Sequence, residues 1–331
     1  MPSPAFVGRQ VSAGFNAPNV MTFPNEWVDK LVRKIKITGR DTMRIRGLAE
    51  GPYPTDDPED QDWKGIGSLY HDVAFPNKPW QVKVAIPDEE IDADQLGDLV
   101  LQAQGMGKNW KPSLANRFRL MCQEGDGTTY GGAPNWDAGS AFFAADHAYT
   151  GDLEYAGSVW SNLLTKSDVS GLQVTSTSAI TTAEAQAFIF GVMHYMRRNV
   201  RNTRGFPMFS GMDDVYFVIP GELEYVFQKA LYAPLVNSGE SNVTMKKGNL
   251  VVDSTLTDAL IFYAVMIPPG NQERPFHLPY WPIDGQEIKV KMSAPGSDSD
   301  IMRDTRLWKA MSHYSPGYGD PRFIARATIS T

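Results

Sequence analysis

The segment from residue 51 to residue 62 most strongly limits how this chain can fold. It reads Gly-Pro-Tyr-Pro-Thr-Asp-Asp-Pro-Glu-Asp-Gln-Asp, and a stretch so rich in proline and acidic residues cannot contribute to a core. Residues 42–46 and 79–86, on either side, alternate apolar and polar side chains as strands do. Because a loop this long is unusual inside a compact domain, the pattern predicts two strands joined by a long charged loop, which together form a protruding β-arm.

Charge is distributed unevenly along the chain, whose formal net charge is −7. Residues 1–48 hold eight Lys/Arg and three Asp/Glu, which gives +5, whereas residues 49–98 hold three Lys and thirteen Asp/Glu, which gives −10. Such runs are commonly solvated surface, but they can also meet their opposites on another chain. The second interpretation yields these candidate inter-subunit contacts: Lys30, Arg33, Lys34, Asp56, Asp57, Glu59, Asp60, Asp62 and Trp80.

Helical periodicity is clearest over residues 93–122, where apolar residues recur at three- and four-residue steps. Pro112 must kink or restart this helix. A short amphipathic helix is predicted over residues 27–35. Thr181 and Glu184 have the spacing of a capping box and predict the start of a further helix. Its apolar stripe would be Ala185, Phe188, Ile189, Val192, Met193 and Met196. Pro220 precedes another helix over residues 222–231.

Short apolar runs predict strands at residues 215–219, 250–252, 260–267 and 288–292. The last two runs, 307–314 and 323–329, flank a glycine-bearing turn and predict a terminal hairpin. One long helix, a few shorter ones and mostly antiparallel strands indicate an α+β fold. The longest apolar run, residues 259–267, is too short to span a bilayer.

The chain has five histidines, and the adjacent Asp146 and His147 are the pair that most resembles part of an active site. No nucleophile elbow, phosphate loop or metal-ligand spacing accompanies them, and the single cysteine, Cys122, lies on an apolar helix stripe. A metal-dependent hydrolase using Asp146 and His147 is therefore an alternative. A packing and hydrogen-bonding role for Asp146, His147 and Asn162 fits the pattern better, and no cofactor is predicted. The negative net charge disfavours binding to nucleic acid, which needs clustered Lys and Arg.

Several motifs occur in an order that resembles the major head proteins of Mu-type phages. They are Ile91-Asp-Ala-Asp-Gln-Leu-Gly97, the helix break at Pro112, Phe142-Phe-Ala-Ala-Asp-His147, Ser161-Asn-Leu163 and the closing Tyr314-Ser-Pro-Gly-Tyr-Gly319. The resemblance is best over residues 84–270 and at the C-terminal end, whereas the first 80 residues match in layout alone.

This resemblance implies the Hong Kong 97-type capsid fold, an α+β fold. The predicted segments follow the order of that fold. Residues 1–40 would form an N-terminal arm, residues 41–86 an extended β-loop (E-loop), and residues 87–167 a peripheral domain with a long spine helix at 93–122. Residues 168–285 would form the axial domain, and residues 286–331 would return to the peripheral domain.

The resemblance also implies a function, that of a structural major capsid protein and not an enzyme. Copies would self-assemble into hexamers and pentamers of an icosahedral phage head that encloses double-stranded DNA without binding it specifically. Other implied partners are a portal, a decoration or cement protein, and a separate scaffolding protein, since no long charged helical segment opens the chain; no membrane is involved. The protein would assemble in the host cytoplasm and reside in the virion. An encapsulin-like nanocompartment shell, built on the same fold, is the main alternative.

Overall fold

The structure is a computed structural model, and it describes residues 26–39, 42–48, 69–87, 89, 112–125, 141–148, 159–176, 179–202, 205–211, 215–236, 240–242, 244–268, 273–292 and 305–331. The α-helices in these ranges are α1 (Glu26–Leu31), α2 (112–124), α3 (Thr182–Asn199) and α4 (Glu224–Tyr232). In this part of the chain, no helix has the length and apolar character needed to cross a membrane.

The strands, in chain order, are β1 (Val32–Lys36), β2 (Met43–Leu48), β3 (Leu69–Phe75), β4 (Pro79–Pro87), β5 (His147–Ala148), β6 (Val159–Trp160), β7 (Leu163–Leu164), β8 (Val215–Ile219), β9 (Leu235–Val236), β10 (Glu240–Ser241), β11 (Asn249–Val252), β12 (Ile261–Met266), β13 (Phe276–Trp281), β14 (Lys289–Met292), β15 (Thr305–Tyr314), β16 (Gly317–Tyr318) and β17 (Ile324–Thr328). The chain divides into two compact units.

The first unit comprises Met1–Met43, Ala74–Leu120 and His277–Gly317, and its sheet is built around β15. This ten-residue strand pairs antiparallel with β4 along one edge and with β14 and β13 along the other. Side chains of β15 alternate, so that Trp308 and Ala310 are buried while Leu307 is exposed. One face of the sheet is therefore packed and the other is open.

The second unit comprises Arg44–Val73, Met121–Phe276 and Tyr318–Thr331, and its main sheet has the order β11-β8-β12-β17-β7. All six residues of β12 are buried, and four of the five in β8 are, as expected for strands at the centre of a covered sheet. Helices α3 and α4 contribute to the same core. Phe188 and Phe227 from these helices lie 5.3–6.3 Å, between ring centroids, from Phe217 or Phe262 of the sheet.

Helix α3 begins with the capping box that the sequence predicts. The Thr181 hydroxyl accepts the Glu184 amide at 3.3 Å, and the Glu184 carboxylate accepts the Thr181 amide at 2.7 Å. The carboxylate also accepts the Thr175 amide, and these hydrogen bonds lower the pKa of Glu184. The predicted apolar stripe is confirmed, since all its members are buried: Ala185, Phe188, Ile189, Val192, Met193 and Met196.

The prediction of a helix over residues 27–35 is wrong beyond Leu31. Helix α1 ends there, and Val32–Lys36 forms strand β1, which pairs with β13. The Ile37 amide continues the contact by donating to the Tyr280 carbonyl at 2.9 Å. A helix of one or two turns is weak in isolation, so pairing with a long-range partner decides the conformation here.

The two strands predicted around the acidic segment are confirmed as β2 and β4, but they do not pair with each other. Strand β2 pairs with β3, which the sequence analysis missed, and β4 pairs over nine residues with β15. Strand β15 can form hydrogen bonds along the whole length of β4, whereas β2, with six residues, is too short to do so. The acidic residues Asp56, Asp57, Glu59, Asp60 and Asp62 lie outside the described residues.

The predicted terminal hairpin is also wrong. Strand β15 belongs to the sheet of the first unit, whereas β17 pairs with β12 and β7 in the sheet of the second. The turn between the two strands was predicted correctly. The strands on either side of it do not pair with each other, because each pairs with strands that are distant in sequence.

The long helix predicted over residues 93–122 is described from residue 112 to residue 124, and this part is helical. Leu114, Phe118 and Met121 are buried there, as the periodicity predicts, and Cys122 is buried with them. Residues 93–111 lie outside the described residues. The C-terminal part of the predicted helix is thus confirmed.

Replacing Thr181 with alanine should lower the free energy of unfolding by about 0.5–2 kcal/mol, because the Glu184 amide loses its acceptor. The neighbouring Thr182→Ala variant is the control, since Thr182 lies inside the helix and alanine is a better helix former. Urea unfolding of both variants measures the difference. Equal destabilisation in the two would show that the capping box does not anchor α3.

Candidate functional site

Asn162 joins two other segments of the second unit through its side chain and is 1% exposed. Its Oδ1 accepts the Ala144 amide at 3.0 Å and lies 2.9 Å from His147 Nε2. Its Nδ2 donates to the carbonyls of Phe142 at 3.0 Å and Pro321 at 3.2 Å. Both lone pairs and both protons of the amide are therefore used, which is how a buried amide avoids a desolvation penalty.

The backbone of Asn162 extends the same connections. Its amide donates to the Ala144 carbonyl at 3.2 Å, and its carbonyl accepts the Arg326 amide at 2.7 Å. The segment carrying Phe142, the segment carrying Asn162 and the last strand of the chain are thus linked at one residue. We call Phe142, Ala144, His147, Asn162 and Pro321 the Asn162 network.

His147 is held in this network as a buried, neutral imidazole. Its Nε2 lies 3.1 Å from the Phe142 carbonyl as well as 2.9 Å from Asn162 Oδ1, and because both partners are acceptors, Nε2 carries the proton. The ring stacks on Trp160, with 4.5 Å between centroids. Burial lowers the pKa of His147, although its two hydrogen bonds act in the opposite direction.

Asp146 lies beside His147 in sequence, but its side chain is exposed. Its charge tends to raise the pKa of His147, an effect smaller than that of burial. The imidazole is thus positioned by an amide and a backbone carbonyl. No cluster of three or more His, Cys, Asp or Glu in the described part of the chain could hold a metal ion. The geometry gives the hydrolase alternative no support, and a structural role of the Asp146 carboxylate stays a prediction.

A buried ion pair adjoins the Asn162 network and was missed by the sequence analysis. Arg322 Nη2 lies 2.7 Å from Asp320 Oδ2, and Nε donates to Oδ1 at 3.0 Å, with both side chains buried. Asp320 also accepts the Arg322 amide and so caps the short 3-10 helix Pro321–Phe323. The sequence Asp-Pro at a helix start signals the cap, but nothing local signals the burial.

Trp80, a predicted contact between subunits, is engaged within its own chain. Its indole N–H donates to the Tyr314 carbonyl at 2.8 Å, and its ring stacks on Tyr314 with 5.0 Å between centroids. The guanidinium of Arg117, a residue of helix α2, lies 3.9 Å from the centroid of the Trp80 ring. Burial raises the pKa of Tyr314 to about 12. A role of Trp80 between copies stays a prediction.

The predicted basic contacts also have partners in their own chain. Lys34 forms an ion pair with Asp29 at 3.3 Å, and Lys30 and Arg33 make further interactions. The structure therefore brings together His147 and Asn162 in the second unit, whereas Lys30, Arg33 and Lys34 belong to the first unit.

Replacing Asn162 with alanine should lower the free energy of unfolding by about 2–4 kcal/mol, because two buried donors and two buried carbonyls lose a partner. The control is Asn249→Ala on the exposed start of β11, expected to change stability by less than about 0.5 kcal/mol. Denaturant titration compares the two. A loss at Asn162 no larger than at Asn249 would contradict the role given to the network.

His147 should make the protein sensitive to acid. Because its folded pKa is lower than the ordinary value of 6.5, its contribution is complete above pH 6.5 and is lost as the pH falls below that value towards the folded pKa. The free energy of unfolding should thus fall less steeply in His147→Gln than in the unaltered protein between about pH 7.5 and pH 5.5. Parallel pH profiles for the two proteins would exclude this contribution.

No family model and no curated protein matches the sequence. Solved structures do match it. A chain from the procapsid of bacteriophage JBD30 is 12% identical with a TM-score of 0.50, covering 98% of this chain and 76% of that one. A chain from the capsid of the native GTA particle is 8% identical with a TM-score of 0.54, covering 92% and 90%.

A chain from the mature capsid of bacteriophage PhiM1 gives the same result, at 9% identity and a TM-score of 0.54, covering 94% of this chain and 88% of that one. Identities this low establish a shared fold and nothing more about the relatives' roles. The likeness extends over nearly the whole chain, and with the mixed α+β architecture it confirms that this protein has the Hong Kong 97-type capsid fold.

Proposed function

We propose that this protein is a structural major capsid protein, whose copies self-assemble into hexamers and pentamers of an icosahedral phage head that encloses double-stranded DNA. The observation that carries this proposal is the capsid fold over 92–98% of the chain. Both compact units take part in the likeness. The predicted division into arm, E-loop, peripheral and axial domains is part of the same proposal.

Surface side chains of the second unit support a role in assembly. Phe190 on α3 is 55% exposed, Tyr225 and Tyr232 on α4 are 72% and 47% exposed, and Leu235 just beyond is 58% exposed. Aromatic residues are enriched where protein surfaces pack against each other. A shell draws its stability from large contacts of this kind repeated in every copy.

Complementary charge would then set the register of neighbouring copies. The segment from residue 49 to residue 98 carries −10, and a single exposed ion pair contributes only about 0–1 kcal/mol, so the number of pairs matters more than any one of them. Such pairs favour correct orientation and faster association over raw affinity. The acidic balance also fits DNA that is enclosed without specific contacts.

Other partners follow from the same role. A portal, a separate scaffolding protein and a decoration or cement protein would bind the assembled shell or its precursor. Assembly would take place in the host cytoplasm, and the product would be part of the virion.

The purified protein should assemble into closed shells, and assembly should weaken as ionic strength rises. Neutralising Asp56, Asp57, Asp60 and Asp62 to asparagine should weaken it further, as measured by light scattering and electron microscopy. The matched control neutralises the exposed Glu124, Asp146, Asp258 and Asp284, none of which lies on α3 or α4, and changes the net charge equally. Equal assembly of both variants at every salt concentration would exclude the charge-pairing step.

The contents of particles from the native source separate the phage head from a nanocompartment. Double-stranded DNA inside them is the expected result, measured by nuclease-protected absorbance and density. Particles filled with cargo protein would contradict the phage-head role while leaving the shell role intact.

A further inference from the structure

Helix α3 carries a stripe of exposed side chains along its whole length, which we call the α3 stripe. Its members are Ala183, Ala187, Phe190, His194 and Arg198. They recur at three- and four-residue steps and so share one face of the helix. The stripe changes character along the helix. Its N-terminal half holds two small alanines and the large apolar Phe190, whereas its C-terminal half is polar and ends in a cation.

Helix α4 has an exposed stripe with the opposite order of chemistry, which we call the α4 stripe. It consists of Glu224, Gln228 and Tyr232, which follow each other at four-residue steps. The Gln228 amide donates to the Glu224 carboxylate at 3.2 Å, a hydrogen bond that leaves the negative charge in place. Glu222, just before the helix, adds a second exposed carboxylate. The stripe therefore begins with anions and ends with an aromatic ring.

The two stripes have the same length. Arg198 and Phe190 are eight residues apart on α3, and so each lies about 12 Å from the other along the helix at 1.5 Å per residue. Glu224 and Tyr232 are also eight residues apart on α4. When the helices lie antiparallel, Arg198 comes opposite Glu224. Phe190 then comes opposite Tyr232, and the small side chain of Ala187 leaves room for the rings.

Only the antiparallel direction brings the opposite charges together. A parallel alignment would leave Arg198 and Glu224 at opposite ends of the contact. Each charge also suits the dipole of its own helix, and the antiparallel contact sets the negative end of α3 beside the positive end of α4. Among the residues that the structure describes, Arg198 has no ion pair or hydrogen bond.

The two stripes do not cover each other within one copy. Helices α3 and α4 of the same chain approach through the buried Phe188 and Phe227, whose ring centroids are 6.4 Å apart. Phe190 and Tyr232 both stay exposed in the single subunit. A second copy of the chain is therefore a partner that offers the complementary surface.

We propose that the α3 stripe of one copy packs antiparallel on the α4 stripe of a neighbouring copy. This inference rests on the proposed shell function, which gives every copy neighbours. The aromatic rings of Phe190 and Tyr232 supply the apolar contact, as aromatic side chains do in other interfaces. The pair of Arg198 and Glu224 fixes the direction and the register, because charge complementarity contributes more to specificity than to affinity.

Exchanging the two charges tests the register. Arg198→Glu and Glu224→Arg each place like charges opposite each other, so the protein concentration at which shells appear should rise by roughly ten-fold or more. The double variant restores attraction and should assemble within about two-fold of the unaltered protein. The matched control combines Arg198→Glu with Asp258→Arg on an exposed loop. It restores the net charge but not the pair, and it should stay impaired.

Disulfide trapping identifies the surface that Phe190 meets. One chain carries Phe190→Cys and a second, isotope-labelled chain carries Tyr232→Cys, while Cys122 stays buried in both. Mild oxidation of mixed shells should yield a disulfide between the two labels, as measured by mass spectrometry. Ser254→Cys, also exposed, replaces Tyr232→Cys in the control and should yield much less product.

Circular dichroism first establishes that every variant is folded, as expected for exposed positions. Unchanged assembly of both single charge variants would overturn the proposal, and so would a double variant that is not rescued. Absence of the disulfide in assembled mixed shells would also overturn it. In each of these cases the shell role stands. If the unaltered protein builds no shells, the proposed function itself fails, which is a different outcome.

Discussion

The side-chain amide of Asn162 holds the second unit together where distant parts of the chain converge. One buried residue serves Ala144 and His147 through its oxygen and Phe142 and Pro321 through its nitrogen. A buried amide can be this favourable only when every donor and acceptor is used, and here all of them are. The arrangement fixes the position of the His147 ring, which stacks on Trp160, while burial of the ring lowers its pKa and favours the neutral imidazole. Each of these hydrogen bonds fixes the position of a backbone or side-chain group.

The proposed shell function would require every copy to present the same surfaces, and such fixed positions would serve it. In the first unit, Trp80 performs a comparable role by joining Tyr314 and Arg117 through a hydrogen bond, a stacking contact and a cation–π contact. These contacts use buried or half-buried side chains, whereas several large apolar side chains are exposed on the surface. Examples are Phe190 on α3 and Tyr225 and Tyr232 on α4, which the proposed shell function would cover in an assembly.

Local patterns in the sequence predicted local structure well. The capping box of Thr181, the stripe of α3 and the apolar run of β8 were predicted because each depends on residues a few positions apart. Strand partners were not predicted. Strand β4 pairs with β15, more than two hundred residues away, and which partner a strand takes depends on the hydrogen bonds that each possible partner strand offers.

The candidate site was predicted in part. The motifs around His147 and Asn162 led to the prediction of a hydrogen-bonding role, and in the structure the two side chains lie 2.9 Å apart. Their partners could not be derived, because Pro321 and the Asp320–Arg322 pair meet them only after the chain has folded. Asp146 and His147 are neighbours in sequence, which suggested an active site. In the structure, the His147 imidazole is buried, and its Nε2 bonds to Phe142 and Asn162.

A cryo-electron microscopy reconstruction of particles formed by the purified protein tests the central claim most directly. The account predicts closed icosahedral shells of hexamers and pentamers, in which each copy shows the sheet built around β15 and the sheet built around β12. A homogeneous population of monomers or small open oligomers, under conditions where the protein is folded and concentrated, would contradict it.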